Sequence, residues 1–230
     1  MSIGGKILDK LVIFDIDGTV LNTIETIAFH GNRALKELGF KEMDVDYFRK
    51  FIGNSSRYLI EKLLETQGAE LSEENIVGVM DLYHKYYQEG VSYLTHEYEG
   101  MLDLVRDVRK AGNIACAISN KPDHTLSILF TELDINKEFD FVQGQKDDVK
   151  KKPDPFIVDM LVDKYGVKKE DTYIIGDSEV DIMTGKNANV RTIGVLWGFR
   201  SKNEIEEKNP DFLVEDIYEL RSLLVDEVIL

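Results

Sequence analysis

The chain has 230 residues, of which 43% are hydrophobic and 31% are charged, a balance that excludes the disordered and fibrous classes of protein. Its 28 lysines and arginines against 43 aspartates and glutamates give a net charge of −15, which disfavours nucleic acid and membrane surfaces as partners. No apolar run reaches the roughly 18 residues that span a bilayer, and the first ten residues lack the apolar stretch of a signal peptide. We therefore expect a cytoplasmic protein; its oligomeric state, monomer or homodimer, stays open.

The first predicted element is a buried strand at Leu11–Phe14, a short apolar run that stops at a polar turn. Similar runs predict further strands at Ile114–Ile118, Phe141–Gln143, Tyr173–Ile175, Thr192–Leu196 and Phe212–Val214. Apolar residues at helical spacing predict helices at Met101–Lys110, Phe156–Tyr165 and Ile217–Leu224. Strands that alternate with helices predict an α/β fold with a doubly wound, mostly parallel sheet, which is a Rossmann-like core.

Residues 23–93 break this alternation, because their apolar residues recur at helical spacing and form no convincing strand. We expect an inserted all-helical domain at residues 22–93 and a core made of residues 1–21 and 94–230. The links between the two would be Leu21–Asn22 and Tyr93–Glu99, where the helical pattern starts and stops. Such links would let the insert open and close over a site.

Polar residues follow the apolar runs, and in an open parallel sheet the ligand site lies outside the carboxyl ends of the strands. We therefore expect these residues to meet at one edge of the sheet. The set comprises Asp15, Asp17, Gly18 and Thr19 after the first run; Ser119, Asn120 and Lys121 after the second; Lys152 before the predicted helix Phe156–Tyr165; and Asp177, Ser178 and Asp181 after the fourth run.

Carboxylates that lie close together repel one another and stay ionised only if a cation lies among them. Mg²⁺ fits best, because it accepts one or two protein carboxylates and completes its shell with water and phosphate oxygens. We expect the side chains of Asp15 and Asp177 and the backbone carbonyl of Asp17 as metal ligands. Ser119 and the Asn120 amide would hold phosphate oxygens. Lys152 would neutralise charge as it builds on a phosphoryl group.

The motifs Asp15-Ile16-Asp17-Gly18-Thr19, Ser119-Asn120-Lys121, Lys152-Pro153 and Gly176-Asp177-Ser178 with Asp181 stand in this order along nearly the whole chain. In this the chain resembles the haloacid dehalogenase superfamily, and the helical insert is similar to the helical cap of that family. Gly53-Asn54 and Trp197-Gly198-Phe199 resemble the phosphoglycolate phosphatases and their relatives, including pyrophosphatases.

The resemblance implies a Mg²⁺-dependent phosphatase that acts on a small phosphate ester. Asp15 would attack phosphorus to form an aspartyl-phosphate, and Asp17 would act first as acid and then as base. Gly18, Thr19 and Lys121 would join Ser119 and Asn120 around the phosphate, while Ser178 and Asp181 would support the metal site indirectly. Candidate substrate contacts in the cap are Arg49, Gly53 and Asn54.

The substrate stays open, because Asn22-Thr23 stands where phosphoglycolate phosphatases commonly carry an Asp-Ser pair. An inorganic pyrophosphatase and a β-phosphoglucomutase-type phosphotransferase are alternatives on the same fold. A dehalogenase is disfavoured, because that branch lacks the second aspartate, here Asp17. A catalytically silent binding or regulatory module is disfavoured too, since a silent protein has no physical need to keep repelling carboxylates together.

Overall fold

The computed structural model describes residues 10–225. Its strands are β1 (Leu11–Phe14), β2 (Leu21–Asn22), β3 (His96–Glu97), β4 (Ile114–Pro122), β5 (Phe141–Gln145), β6 (Thr172–Gly176), β7 (Arg191–Val195) and β8 (Phe212–Val214). Its α-helices are α1 (Ile24–Glu37), α2 (Val45–Phe51), α3 (Ser56–Thr66), α4 (Glu73–Glu89), α5 (Met101–Lys110), α6 (Asp123–Glu132), α7 (Phe156–Tyr165), α8 (Glu179–Ala188), α9 (Lys202–Glu206) and α10 (Ile217–Leu224).

Six strands form one parallel sheet in the order β5-β4-β1-β6-β7-β8. The chain leaves β1 towards β4 and β5 and later crosses to β6 on the other side, so the strand order reverses at β1. A reversal of this kind opens a crevice at the carboxyl ends of the neighbouring strands. Asp15, the residue directly after β1, therefore stands at the mouth of that crevice.

Both faces of the sheet are covered, because successive side chains of β1 point to opposite faces and each face packs against helices. Val12 and Phe14 belong to one hydrophobic cluster, which also contains residues of α5, α6 and α10. Leu11 and Ile13 belong to a second cluster with residues of α7 and α8. All four residues of β1 are fully buried, which explains why the strand reads as a continuous apolar run. The predicted doubly wound parallel sheet is confirmed.

The second strand of the sheet in chain order, β4, runs further than its apolar pattern indicates. It was predicted to stop at Ile118, yet it continues to Pro122, with an irregular register against β5 between these two residues. Its neighbour β1 ends at Phe14, opposite Ala117. Ser119, Asn120 and Lys121 thus extend past the end of β1 and reach over the crevice.

The helices α1 to α4 follow one another without an intervening strand between β2 and β3. The two stretches predicted as plain links pair with each other instead, since Leu21 lies opposite Glu97 and Asn22 opposite His96 in an antiparallel ribbon. Buried residues of α1, α3 and α4 belong to the same hydrophobic cluster as one face of the sheet. Within residues 10–225, no helix is both long and apolar enough to cross a bilayer.

The contact between α8 and the sheet yields a stability prediction at Gly185. A Cβ atom there would lie 2.4 Å from the side chains of both Ile174 and Thr192, which are fully or almost fully buried. We expect Gly185→Ala to lower the free energy of unfolding by about 2 kcal/mol through overpacking, although alanine is the better helix former. Urea denaturation of both proteins measures the difference.

The matched control is Gly78→Ala in α4. Its Cβ would lie 3.1 Å from a terminal methyl of Leu38, an exposed and movable side chain. Because alanine is favoured over glycine in a helix, Gly78→Ala should leave stability unchanged or raise it slightly. Equal effects of the two substitutions would contradict the close packing of α8 on the sheet.

Candidate active site

The acidic residues collected from the sequence meet at the carboxyl end of the sheet around Lys152. The Lys152 Nζ lies 2.8 Å from Oδ1 of Asp15 and 2.6 Å from Oδ1 of Asp181. Asp15, Asp177 and Asp181 each offer a carboxylate oxygen, and these oxygens lie within 4.8 Å of one another. All four side chains are buried. These four charged side chains therefore lie together although they come from different elements: the ends of β1 and β6, the start of α8 and the loop before α7.

Glycines around the cluster leave the space that the carboxylates occupy. A Cβ at Gly18, whose φ is +87°, would lie 2.3 Å from Oδ2 of Asp177. A Cβ at Gly198 would lie 2.2 Å from the Cβ of Asp177, and one at Gly176 would lie 2.1 Å from the carboxyl carbon of Asp181. Any side chain at these positions would displace an acid, so the glycine of the Asp-x-Asp-Gly-Thr motif has a steric role here.

Burial and mutual repulsion disfavour negative charge in this cluster. Burial, followed by the charge of Asp181, raises the pKa of Asp15 well above its usual value, although Lys152 opposes the change. The same causes raise the pKa of Asp177 to about 7, although the Phe199 N–H donates to its Oδ2 at 2.6 Å. Burial alone would lower the pKa of Lys152, but Asp15 and Asp181 outweigh it, so that pKa is raised and the lysine stays charged.

These residues fit a divalent cation. One ammonium against three carboxylates leaves an excess of negative charge in a buried space, and oxygen donors of this kind suit a hard ion. Asp15 and Asp177 would hold the ion. The oxygens of Asp181 are already engaged, Oδ1 with Lys152 and Oδ2 with the hydroxyl of Ser178 at 2.6 Å. Asp181 is therefore placed to orient Lys152, and Ser178 is placed to hold Asp181, without either residue contacting the metal directly.

Asp17 lies two residues from Asp15, and its side chain is turned to different partners. Its Oδ1 accepts a hydrogen bond from the Thr23 hydroxyl at 2.6 Å and pairs with Lys121 Nζ at 2.8 Å. Lys121 also donates to the hydroxyl of Tyr87 on α4 at 3.2 Å. Two neighbouring acids thus have separate environments, which is the condition for giving them different protonation roles.

The three residues expected around the phosphate group after Ile118 lie at one wall of a cavity that Asp15, Asp17 and Lys152 also line. The Ser119 hydroxyl accepts from the Lys121 N–H at 3.1 Å. The Asn120 side chain bonds to backbone groups only: it donates to the carbonyls of Lys152 and Gly53 and accepts from the Lys152 N–H. The phosphate-binding expectation for Asn120 therefore concerns its backbone amide.

Of the remaining predicted site residues, Gly53 and Asn54 line the cavity, whereas Thr19 and Arg49 do not. The Thr19 hydroxyl is buried without a hydrogen-bond partner among the described residues, while its carbonyl accepts from the Trp197 indole at 3.1 Å. The Arg49 guanidinium lies 3.5 Å from Asp46.

Arg200 is a residue that the sequence analysis missed. Its side chain is buried, pairs with Glu179 at 3.1 Å, and donates to the carbonyls of Arg49, at 2.7 Å, and Ile52. It thereby ties the end of α2 to the core, beside the cavity residue Gly53. Nothing in the local sequence signals this contact, because Arg200 lies 151 positions from Arg49.

One wall of the cavity is formed by the helical segment. Tyr83, His84 and Tyr87 of α4 line it, together with Ile27 and Leu59. The tyrosine spacing in α4 indicates a buried helix face and does not distinguish a face that packs on protein from one that borders a cavity. The fold decides this, because α4 meets the carboxyl end of β4 where Lys121 donates to the Tyr87 hydroxyl.

The pKa of Asp177 predicts how acidity affects the metal-free protein. Its value of about 7 in the folded protein exceeds the ordinary 3.8, so the folded state loses stability from this group as pH rises from about 4 to about 7. Asp177→Asn removes that cost. In EDTA at pH 8 we expect the free energy of unfolding of the variant to exceed that of the parent by a few kcal/mol, so that the variant unfolds at a higher urea concentration. At pH 5 the difference in free energy should be smaller.

Asp163→Asn, at an exposed position on α7, is the control and should show no such dependence on pH. With Mg²⁺ present the parent should gain more stability than Asp177→Asn, because the variant lacks a ligand. An Asp177→Asn variant that is no more stable than the parent at pH 8 in EDTA would contradict the proposed repulsion.

Comparisons with known proteins agree with this geometry. The profile of the family described as haloacid dehalogenase-like hydrolase matches residues 12–195. The chain is 29% identical over 214 residues to a phosphoglycolate phosphatase of Vibrio parahaemolyticus, covering 92% of this chain and 94% of that one. Its structure is similar to that of a putative phosphoglycolate phosphatase from Lactobacillus delbrueckii subsp. bulgaricus, with a TM-score of 0.89, 27% identity and coverage of 96% and 100% of the two chains.

A putative phosphatase from Clostridium difficile is also similar, with a TM-score of 0.81, 25% identity and coverage of 95% and 100%. The family match spans all four motifs, from the strand before Asp15 to the strand after Asp181. The resemblance and the enzyme class predicted from the motifs are confirmed. The chain belongs to the haloacid dehalogenase-like hydrolase family.

Proposed function

We propose that this hydrolase is a Mg²⁺-dependent phosphatase that releases phosphate from a small phosphomonoester of the phosphoglycolate type, through an aspartyl-phosphate on Asp15. The observation that carries the proposal is the division of the two motif acids. Asp15 lies with Lys152 among the buried carboxylates, whereas Asp17 is turned to Thr23 and Lys121. One acid is placed for nucleophilic attack and the other for proton transfer.

In the first step, a carboxylate oxygen of Asp15 attacks phosphorus as the bond to the ester oxygen breaks. Asp17 donates its proton to the departing oxygen, so the organic part leaves as an alcohol. Lys152 and the backbone around Ser119 and Asn120 would hold the phosphoryl oxygens. Lys152 is charged and already 2.8 Å from Asp15, so it can stabilise charge on the transferred group without moving far.

In the second step, Asp17 takes a proton from water, and the oxygen of that water attacks phosphorus. The bond to Asp15 breaks, which regenerates the carboxylate and releases inorganic phosphate. When bound, Mg²⁺ would offset the repulsion between Asp15 and Asp177 and withdraw charge from the phosphoryl oxygens. Asp181 and Ser178 would keep Lys152 directed at Asp15 throughout.

The helical residues 22–93 form the cap in this proposal, and residues 1–21 and 94–230 form the core; of these, residues 1–9 and 226–230 lie outside the described part. Support for a cap comes from the cavity wall made by α4 and from the Arg200 and Asn120 contacts with the backbone near Gly53. The short ribbon of β2 and β3 would act as the hinge, and cap closure would exclude water from the aspartyl-phosphate.

The relatives support the substrate class, because the curated relative from Vibrio parahaemolyticus is named a phosphoglycolate phosphatase and aligns over nearly the full length. An acidic protein needs local positive charge to accept an anionic ester. Lys121 and Lys152, both in the cavity wall, supply that charge.

The decisive test is phosphate release from a panel of esters that includes phosphoglycolate and pyrophosphate, with Mg²⁺ and with EDTA. We expect Mg²⁺-dependent hydrolysis of phosphoglycolate. Asp15→Asn should lower kcat by about a thousandfold or more, because the amide is a far weaker nucleophile than the carboxylate. Acid quenching of the parent during turnover of a phosphate-labelled ester should leave label on the protein that hydroxylamine releases, because an acyl phosphate survives acid but reacts with hydroxylamine; Asp15→Asn should carry no such label.

Asp163→Asn, an exposed change of the same kind on α7, serves as the matched control and should retain full activity. Turnover by Asp15→Asn at the rate of the parent would show that another residue is the nucleophile. Preference for pyrophosphate over every ester would replace the proposed substrate class with that alternative.

A further inference from the structure

We propose that Lys121 and Tyr87 together form a subsite for a carboxylate on the organic part of the substrate, and that they determine specificity for carboxylated over neutral esters. The inference rests on the proposed phosphatase function and adds the recognition of the leaving group. It assigns Lys121 to that group, whereas the motif alone placed it around the phosphate.

Lys121 is positioned beside the acid that would protonate the leaving group. Its side chain is only 6% exposed, lies in the cavity wall, and has its ammonium 2.8 Å from Asp17 Oδ1. If Asp17 protonates the ester oxygen, that oxygen lies within hydrogen-bond distance of Asp17. A substituent two bonds further along the organic part is then within reach of the ammonium. Lys121 thus faces the leaving group, while Lys152 faces the phosphoryl group.

Lys121 also has a partner in the helical segment, Tyr87. The Tyr87 hydroxyl accepts from Lys121 at 3.2 Å, and Tyr87 itself is buried and lines the same cavity. No acceptor for the Tyr87 hydroxyl proton lies among the described residues. An ammonium next to a free O–H donor is a suitable pair of donors for the two oxygens of a carboxylate.

Apart from Lys121 and Lys152, the described side chains that line the cavity supply no positive charge near pH 7. Ile27, Ile52 and Leu59 are apolar, and burial lowers the pKa of His84 below its ordinary value, so His84 is neutral near pH 7. Lys152, the other lysine in the lining, pairs with two carboxylates, those of Asp15 and Asp181, and in the proposed reaction it faces the phosphoryl group, whereas Lys121 pairs with Asp17 alone. An anionic substituent therefore finds its charge partner at Lys121.

The single positive charge of Lys121 favours a carboxylate over a second phosphate group at this subsite. Lys121 is shared with Asp17, and a phosphate dianion would leave net negative charge against apolar walls. A carboxylate carries a single charge and two coplanar oxygens, which one ammonium and one hydroxyl can satisfy.

The experiment compares phosphoglycolate with ethyl phosphate, which has the same two carbons and a methyl group in place of the carboxylate. The quantity measured is the ratio of kcat/KM for the two esters in the full-length Mg²⁺-loaded enzyme. We expect the parent to prefer phosphoglycolate. Tyr87→Phe should lower the ratio about tenfold, as loss of one hydrogen bond to a charged group implies, and Lys121→Met should lower it about a hundredfold.

Tyr86→Phe is the matched control, because Tyr86 lies on the same helix and its hydroxyl bonds to Glu37 outside the cavity; its ratio should equal that of the parent. If Lys121→Met does not fold, Tyr87→Phe alone decides, since it deletes a single oxygen. A substitution that merely loosened the structure would lower kcat/KM for both esters equally and leave the ratio unchanged.

An unchanged ratio in Tyr87→Phe and Lys121→Met would overturn the subsite, as would a parent that hydrolyses both esters equally well. These results leave the phosphatase function intact, because both esters are still hydrolysed. Absence of phosphate release from either ester by the parent would instead refute the proposed function, and the subsite with it.

Discussion

Three carboxylates and one ammonium share a buried space at the carboxyl end of the parallel sheet, and the rest of the site depends on how their charges balance. Lys152 contacts Asp15 and Asp181 directly, and Asp177 is held by a backbone N–H. One positive charge does not neutralise three buried negative ones, so the pKa values of Asp15 and Asp177 rise. In the metal-free protein the cluster therefore lowers stability, which is the cost expected of a site that a cation would complete. The closely packed glycines around it leave the space that the acids occupy.

The core of the fold was predictable because a parallel sheet covered on both faces makes each strand a short apolar run. β1 and β8 were predicted with their observed bounds, and the other sheet strands differ by one to four residues at an end. The extension of β4 to Pro122 was missed because its last residues are polar where they reach over the crevice. The ribbon of β2 and β3 was missed because two-residue strands carry no periodicity.

The candidate site was predictable to the extent that its residues follow strands. Asp15, Ser119 and Asp177 meet because parallel strands end at one edge. Contacts with the helical segment were not predictable, since they join residues far apart in the chain: Lys121 and Tyr87 are 34 positions apart, and Arg200 and Ile52 are 148 apart. Arg49 was expected as a substrate contact, yet Arg200 binds its carbonyl and its guanidinium pairs with Asp46. Its role as a substrate contact stays a prediction.

We propose that the carboxylate cluster holds a divalent cation against Asp15. The most direct measurement is the anomalous scattering of a crystal grown with Mn²⁺ in place of Mg²⁺. We predict one strong peak about 2.0–2.2 Å from oxygens of both Asp15 and Asp177, with Lys152 still contacting Asp15. A crystal that contains Mn²⁺ elsewhere and shows no peak between Asp15 and Asp177 would contradict the account.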